Sequence, residues 1–434
     1  MDIDSIKKLG LASYTTYDVE TSDEFYDPST NNHTILIRLK KAKIITCPNC
    51  GLVNNYYIRS SRITKIKHSS EIEHNINLKL IKRVYLCKNC DSYFTEDDPF
   101  KVKQSSYTKE KIYDILFLLK DKNQTFKSVS DTLQISQTKV INIFDTYVNI
   151  DRQPFSKVIC MDEVYTKHCS IKKFCNVSFD PIYNKILDVL PSRNLDDLIA
   201  YYSKIPHKER DIVEAFSIDL YEPYRQLAKI CFPQAKICAD HFHVIKNLQK
   251  FFNQARIRIM KKYESLKCTM PENYWLYKNY WKLLFKNPDK LSWKRFKVRH
   301  SGMVLNEHEI VIEMLTLDKD LEEAYNLLAE YKEFNAIAKP SNAKNKLDEL
   351  IMKSENSKLP EMIKGYKLLK NWYQEIINSY ELIDDKRISN GNIERVNKNI
   401  KDLIRLSYGY RNFYRFRNRI LYILNDDSPI KYIK

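Results

Sequence analysis

Apolar and polar side chains alternate along two stretches near the start of the chain. Residues 33–46 (HTILIRLKKAKIIT) and 75–86 (NINLKLIKRVYL) follow the two-residue period of a strand with one buried face. Each stretch runs directly into a pair of cysteines. The pattern predicts two half-buried strands, each ending in a CxxC turn.

The cysteine pairs are Cys47 with Cys50 and Cys87 with Cys90. Two thiolates separated by two residues can reach the same ion from a tight turn, and a second such turn completes a tetrahedral four-sulfur shell. The 36 residues between the pairs exceed the usual spacing and predict a long hairpin. We therefore predict a structural zinc ribbon over residues 33–103, with a redox or unpaired role for the thiols as the alternative.

Residues 108–148 have apolar positions at helical spacing in three short segments. A tight turn separates the last two segments, and Ser136 is placed to cap the third helix. The pattern is typical of a helix-turn-helix domain, here over residues 104–152, although small three-helix bundles that bind nothing look similar. The side chains on the first turn of the third helix, where DNA contacts are expected, are Gln137, Thr138 and Lys139.

The pattern beyond residue 157 changes to strands. Three apolar runs (KVICMDEV, KKFCNVSFD and KILDVL) are followed by a helix, a strand (DIVEAFSID), a second helix and a strand (AKICAD). A three-strand meander followed by strand, helix, strand predicts an RNase H-like sheet. The usual strand order of that fold, 3-2-1-4-5, puts the first and fourth strands side by side.

Residues 251–385 show almost pure amphipathic-helix periodicity and no alternating strand pattern. They predict an all-helical insertion that interrupts the RNase H-like catalytic domain, whose first part is then residues 153–250 and whose last part is residues 386–434. Residues 1–32 form an N-terminal tail, and the whole is a multidomain α+β and α/β protein. The insertion holds all four tryptophans, which are expected to fill its core more often than to form a binding surface: Trp275, Trp281, Trp293 and Trp372.

The charge of the chain changes this picture by indicating a partner. Its 434 residues contain 72 Lys and Arg against 55 Asp and Glu, a formal charge of +17. Such an excess most often marks a polyanionic partner, with nucleic acid as the leading candidate, although an AT-rich genome also enriches Lys. No apolar run reaches the length of a membrane helix, and the CxxC pairs and scattered other cysteines fit a reducing compartment, so we expect a cytoplasmic protein with no membrane partner.

Two acids end apolar strands. Asp162 closes VICMDEV and Asp219 closes EAFSID, so in the predicted sheet both emerge at the same edge. Adjacent carboxylates repel unless a cation neutralises them, and hard oxygen ligands favour Mg²⁺ or Mn²⁺. Glu394, in SNGNIERVNKNIKDLIR, is the expected third ligand. The chemistry implied is in-line displacement at phosphorus in a two-metal site.

Several residues compete with these or support them. Asp240 closes the fifth strand and is the alternative to Asp219, whereas Glu163 is expected to point to the opposite face from Asp162. His243 could touch the scissile phosphate or a ligand acid, or be a core histidine. Basic residues near Glu394 and in the tail SYGYRNFYRFRNRIL are expected to hold the DNA backbone, the tail being equally compatible with a packed helix: Lys398, Lys401, Arg405, Arg411 and Arg415.

Taken together, CPNCG, CKNC followed by YFTE, MDEV, SIDLYEPYRQLAKICFPQAKICADHFHVIKNL and SNGNIERVNKNIKDLIRLSYGYRNFYRFRNRIL resemble the ISL3 group of bacterial insertion-sequence transposases from about residue 40 onward. The resemblance implies a DDE transposase with the triad Asp162, Asp219 and Glu394. Such an enzyme binds the terminal inverted repeats of its element and catalyses metal-dependent cleavage and strand transfer.

The same resemblance implies double-stranded DNA partners (element ends and target), self-association on DNA and a location at the bacterial nucleoid. Two other functions remain open. A regulator that kept the fold but lost catalysis would bind DNA without cutting it, and a metal-dependent nuclease of the same fold would cut without joining.

Overall fold

The computed structural model describes residues 19–29, 32–71, 74–103, 105–166, 172–265, 271–388 and 390–433. Most of the predicted N-terminal tail, and Cys169 and Cys268, lie outside these residues. The chain forms two compact units, Met1–Asp151 with Leu403–Lys434, and Arg152–Asp402.

The first unit begins with a five-stranded sheet. Its strands are β1 (Val19–Asp27), β2 (Asn32–Leu39), β3 (Tyr56–Glu71), β4 (His74–Cys87) and β5 (Tyr93–Thr95), in the order β1-β2-β4-β3 with β5 on β4. The antiparallel β3–β4 hairpin fills the long gap between the cysteine pairs. Alternate residues of β2 and β4 are buried, which matches the predicted strand period, and they pack with Phe100.

Three helices follow in this unit, α1 (Lys109–Lys120), α2 (Phe126–Thr132) and α3 (Gln137–Tyr147). They coincide with the three predicted helical segments. The turn before α3 contains Gln134 in the left-handed region at φ 51°. Ser136 occupies the N-cap position, but its side chain accepts no capping hydrogen bond.

The second unit contains a five-stranded sheet of β6 (Val158–Tyr165), β7 (Phe174–Asp180), β8 (Lys185–Leu190), β9 (Ala215–Ile218) and β10 (Lys236–Ala239). The order is β10-β9-β6-β7-β8, with β6, β9 and β10 parallel and β7 antiparallel to its neighbours. In chain order this is 3-2-1-4-5, the predicted arrangement. The connecting helices are α4 (Leu195–Tyr202), α5 (His207–Arg210) and α6 (Glu222–Cys231).

A long insertion follows β10. It contains α7 (His241–Ser265), α8 (Pro271–Tyr280), 3-10 turns at Trp281–Phe285 and Pro288–Lys290, the hairpin β11 (Phe296–Lys297) and β12 (Val304–Leu305), then α9 (Glu307–Leu317), α10 (Lys319–Ile337), α11 (Ala343–Glu355), α12 (Pro360–Asn371) and α13 (Tyr373–Asn378). A second hairpin, β13 (Leu382–Ile383) and β14 (Lys386–Arg387), closes it.

The prediction of an all-helical insertion is therefore wrong at both hairpins, because strands of two residues are too short to leave an alternating pattern. The insertion has two cores. One is its own, around Phe252 and Tyr277, and in the other Tyr331 and Trp372 pack against the cluster that includes Phe216 of the sheet. No helix of the described residues is long and apolar enough to cross a bilayer.

The chain ends in two helices, α14 (Gly391–Leu406) and α15 (Phe413–Leu424). The residues of α14 up to Asp402 belong to the second unit, whereas Leu403–Lys434 group with the first. In the first unit the buried Arg419 of α15 donates to the carbonyl oxygens of Asp121 and Gln124. The segment 386–434, predicted as one part of the catalytic domain, is thus shared between the two units.

Candidate active site and metal centres

Four cysteine sulfurs converge in the first unit. The Sγ atoms of Cys47 and Cys90 are 3.6 Å apart, as are those of Cys50 and Cys87, and all four lie within 4.8 Å of one another. Tetrahedral zinc with Zn–S bonds of about 2.3 Å requires S···S edges of about 3.8 Å. Gly51, at φ +74°, allows the first turn to close. The sulfur positions fit a four-thiolate zinc site.

The hydroxyl of Ser92 lies against two of these sulfurs. Its Oγ is 2.9 Å from Sγ of Cys90 and 3.4 Å from Sγ of Cys47. The Ser92 hydrogen bond is the main reason that the pKa of Cys90 is lowered to about 6. A thiolate is the form that binds metal, so this hydroxyl favours the ligating state.

In the second unit, three aspartates lie one residue beyond the parallel pairing of neighbouring strands. The last paired residues are Met161 of β6 with Ile218 of β9, and Ile218 with Ala239 of β10. The next residue in each strand is an aspartate, so the register sets them in one row at the carboxyl edge of the sheet. In order across the row they are Asp162, Asp219 and Asp240.

Asp162, Glu163 and Asp219 each have a carboxylate oxygen within 4.8 Å of the other two. Burial raises the pKa of Asp162 to about 6. Burial, followed by the charges of Glu163 and Asp162, raises the pKa of Asp219 to about 7. Clustered carboxylates whose repulsion a cation would relieve have the oxygen chemistry of a Mg²⁺ or Mn²⁺ site. The residues present fit such an ion.

The inclusion of Glu163 corrects the expectation that it would point away. Its neighbour Asp162 is the first residue beyond the β6–β9 ladder, and at the rim of a sheet a longer side chain from the opposite face can reach the same space. Glu163 also forms an ion pair of 2.5 Å with Arg193. The Arg193 guanidinium lies over the rings of Phe174 and Tyr221, at 4.0 and 5.0 Å from their centroids.

Asp240 lies outside this group of three and has a different partner. Its Oδ2 is 2.7 Å from Nδ1 of His243, on the first turn of α7. Burial lowers the pKa of His243, but the Asp240 hydrogen bond and the carboxylates of Asp240, Asp219 and Asp162 raise it above the usual value overall. The imidazolium of His243 is thus favoured beside the acids.

Helix α14 meets this edge through Asn397, whose Nδ2 donates to Oδ2 of Asp162 at 2.7 Å. The other oxygen of Asp162 accepts the backbone N–H of Glu163 at 2.7 Å. Glu394 lies three residues before Asn397, on the same face of the helix and about 4.5 Å along its axis. Glu394 is half-buried, and its carboxylate is not among the three that converge.

Comparison with known proteins identifies the family of this chain. A family model described as Transposase, of the ISL3 group, matches residues 159–420, which span the whole acidic edge and α14. The chain belongs to the ISL3 transposase family. The transposase for insertion sequence element IS1001 of Bordetella parapertussis is 22% identical over 405 residues, covering 92% of this chain and 93% of that protein.

Among solved structures, the transposase chain in a Drosophila P element transposase strand transfer complex aligns with 73% of this transposase and with 92% of that chain. The sequence identity is 12% and the TM-score is 0.37. At that TM-score the likeness does not establish a shared fold.

The predicted DNA contacts of this transposase have different surroundings. Gln137 and Thr138 are exposed on the first turn of α3, and Lys139 is half-buried. Arg415 instead pairs with both carboxylate oxygens of Asp145, at 2.6 to 3.1 Å. Its guanidinium is engaged within the first unit. The remaining predicted contacts are exposed: Lys398, Lys401, Arg405 and Arg411.

Two residues at the site were missed by the sequence analysis. Asn397 carried a usable signal, because it lies one helical turn after Glu394 in a segment already singled out. Arg193 carried none, since a single arginine between a strand and a helix has no periodicity or spacing that marks it.

Proposed function

We propose that this transposase mobilises its own insertion sequence by metal-dependent DNA cleavage and strand transfer in an RNase H-like catalytic domain. The observation that carries the proposal is the row of acids at the carboxyl edge of the sheet, with Asp162 and Asp219 on adjacent strands. A regulator that only bound DNA would have no need for repelling, buried carboxylates there.

Asp162 and Asp219 would hold a Mg²⁺ or Mn²⁺ ion, with Glu394 as the third carboxylate. When bound, the metal polarises the phosphate and stabilises charge on the attacking and leaving oxygens. Glu394 lies on the same face of α14 as Asn397, which supports its approach to the ion by a side-chain rotation or a small shift of the helix. Glu163 is available as a further carboxylate at the same place.

The surrounding residues would position the acids and the DNA. Asn397 fixes the Asp162 carboxylate, and His243 offers a positive charge to a phosphate oxygen next to Asp240. The zinc ribbon and the helix-turn-helix bind the terminal repeats, with the N-terminal residues of α3 at the base edges. The exposed basic side chains of α14 and the following turn hold the backbone: Lys398, Lys401, Arg405 and Arg411.

A strand-transfer reaction tests the proposal. Purified protein is incubated with labelled element ends, a target plasmid and Mg²⁺, and products are separated by size. We expect cleaved ends and joined product from the wild type and neither from Asp162→Asn, Asp219→Asn or Glu394→Gln. Asp197→Asn, an exposed acid in the same unit, is the matched control and should react normally.

The same reaction separates the alternatives. Cutting without joining would support a nuclease, and binding with neither product would support a regulator. Loss of activity in Asp240→Asn but not in Asp219→Asn would identify Asp240 as the second acid. Pairing two DNA ends usually needs at least two active sites, so we propose self-association on DNA at the bacterial nucleoid, to be measured by sedimentation with and without element ends.

A further inference from the structure

The exposed Trp293 is unlike the other tryptophans of the insertion. Trp372 is buried, whereas Trp293 is 74% exposed, against the expectation that these side chains fill the core. It is the second residue of the segment 292–305, SWKRFKVRHSGMVL, which contains the β11–β12 hairpin and which we call the basic hairpin. An exposed aromatic ring among exposed basic side chains is the combination that binds single-stranded nucleic acids.

The indole of Trp293 is held by its neighbours. Its ring stacks on His308, with centroids 3.9 Å apart and planes 20° from parallel. The ring nitrogen Nε2 of His308 lies 3.2 Å from the carbonyl oxygen of Leu291, which fixes the imidazole. The histidine covers one face of Trp293, and the exposed fraction indicates that the opposite face is open to a ligand.

The hairpin itself is anchored to the insertion. Val298 is buried in the helical core, and the backbone N–H of Arg299 donates to the Tyr280 hydroxyl at 3.2 Å. His300 stacks on Trp275 with ring centroids 4.4 Å apart. A surface fixed in this way loses little conformational entropy when it binds a ligand.

The charge of the basic hairpin is of one sign. Residues 292–305 contain four Lys and Arg and no Asp or Glu. Arg295 pairs with Glu309, but within the part of the chain that the structure describes no carboxylate pairs with the side chains of Lys294, Lys297 or Arg299. These three residues are exposed. They are available to an anionic partner.

We propose that the basic hairpin binds DNA that has an unpaired base. The open face of Trp293 stacks on that base, and Lys294, Lys297 and Arg299 contact the adjoining phosphates. Bases inside a duplex are already stacked on their neighbours, so an exposed indole selects single-stranded or opened DNA. The choice of DNA rests on the proposed function, and the hairpin adds to it a contact with a melted or frayed end.

Binding without divalent metal tests the hairpin separately from catalysis. The probes are a fluorescein-labelled single strand of mixed sequence, the same strand in a blunt duplex, and that duplex with a single-stranded overhang. Anisotropy should show Trp293→Ala weakening the single-strand and overhang probes by about tenfold, with the blunt duplex unchanged. Trp293→Phe should retain most of the affinity, and Tyr183→Ala, at another exposed aromatic, should bind like wild type.

The salt dependence of DNA affinity tests the proposed phosphate contacts. Replacing Lys294, Lys297 and Arg299 together by Ala should reduce the slope of log affinity against log salt by about 2 for the single strand. Equal affinities of wild type and Trp293→Ala for all three probes, or an equal loss on all three, would overturn the proposal. The proposal would also be overturned if Trp293→Ala changed self-association, measured by sedimentation without DNA, and left DNA binding unchanged.

The proposals for the basic hairpin and for the active site can be rejected independently. If Asp162→Asn still cuts and joins, the proposed catalytic site is wrong whatever the hairpin binds. If Asp162→Asn is inactive while Trp293→Ala binds every probe normally, the catalytic proposal stands and the hairpin proposal is rejected.

Discussion

Asn397 donates a hydrogen bond of 2.7 Å to Asp162 across a sequence separation of 235 residues. The bond joins α14 to β6 and occupies the second oxygen of the Asp162 carboxylate, whose first oxygen already accepts a backbone N–H. Both oxygens of Asp162 are therefore oriented before any cation arrives. Fixing a ligand through a neighbouring side chain is a common way for proteins to raise the affinity of a metal site.

Replacing Asn397 with Ala should weaken divalent metal binding by about 10- to 100-fold, because Asp162 would lose one of its two fixed partners. Isothermal titration with Mn²⁺ measures the metal affinity of the variant. Strand transfer at saturating metal measures the activity that the variant retains. Asn399→Ala, on the same helix, is the control. Unchanged Mn²⁺ affinity in Asn397→Ala would show that the hydrogen bond only docks the helix.

Asp219→Asn should stabilise the second unit when divalent metal is absent. The substitution removes a buried charge next to Asp162 and Glu163, and we expect a gain of about 1–3 kcal/mol at neutral pH. Urea unfolding in EDTA measures it, with Asp197→Asn expected within about 0.5 kcal/mol of wild type. Saturating Mg²⁺ should then stabilise the wild type more than the variant. A variant less stable than wild type in EDTA would contradict the charge argument.

Cys87→Ser should release zinc and unfold the ribbon of the first unit, since a structural four-sulfur site contributes much of the stability of a small sheet. Mass spectrometry under native conditions should find one zinc ion per wild-type chain and none in the variant. Cys160→Ala, at a buried cysteine of the second unit, should keep the ion. Full zinc retention by Cys87→Ser would refute the assigned ligand set.

Lys111 should make the stability of the first unit depend on pH in the alkaline range. Burial lowers its pKa from 10.5 to about 8 in the folded protein. Between these values the unfolded chain holds more protons, so the free energy of unfolding rises with pH, by at most about 3 kcal/mol.

The change that tests this dependence is Lys111→Met, which has no titrating group. Urea unfolding at about pH 7 and about pH 10 measures the free energy of unfolding of both proteins. From the lower to the higher pH, the free energy of unfolding of wild type should increase relative to that of the variant. Parallel pH profiles for the two proteins would show that Lys111 does not titrate in this range.

Elements and sites that leave a periodic or closely spaced pattern in the sequence could be predicted from it. Cys47 and Cys50 lie in one turn, and Asp162 and Asp219 follow apolar runs that are typical of buried strands, so both clusters were predictable once the strand order was assumed.

Contacts that depend on tertiary packing were not predictable. Glu163 reaches the carboxylate cluster across the rim of the sheet. Arg415 forms an ion pair with Asp145. Trp293 is exposed, whereas Trp372 is buried in the core. Nothing in the local spacing of these residues distinguishes a packed side chain from a free one.

The contact of Arg419 with α1–α2 loop carbonyls has a consequence for synthesis. The first unit includes α15, which follows the second unit in the sequence, so the ribosome finishes the second unit before the first unit is complete. A chain terminated before α15 would therefore carry the acidic edge with Asp162 and Asp219 without a completed first unit.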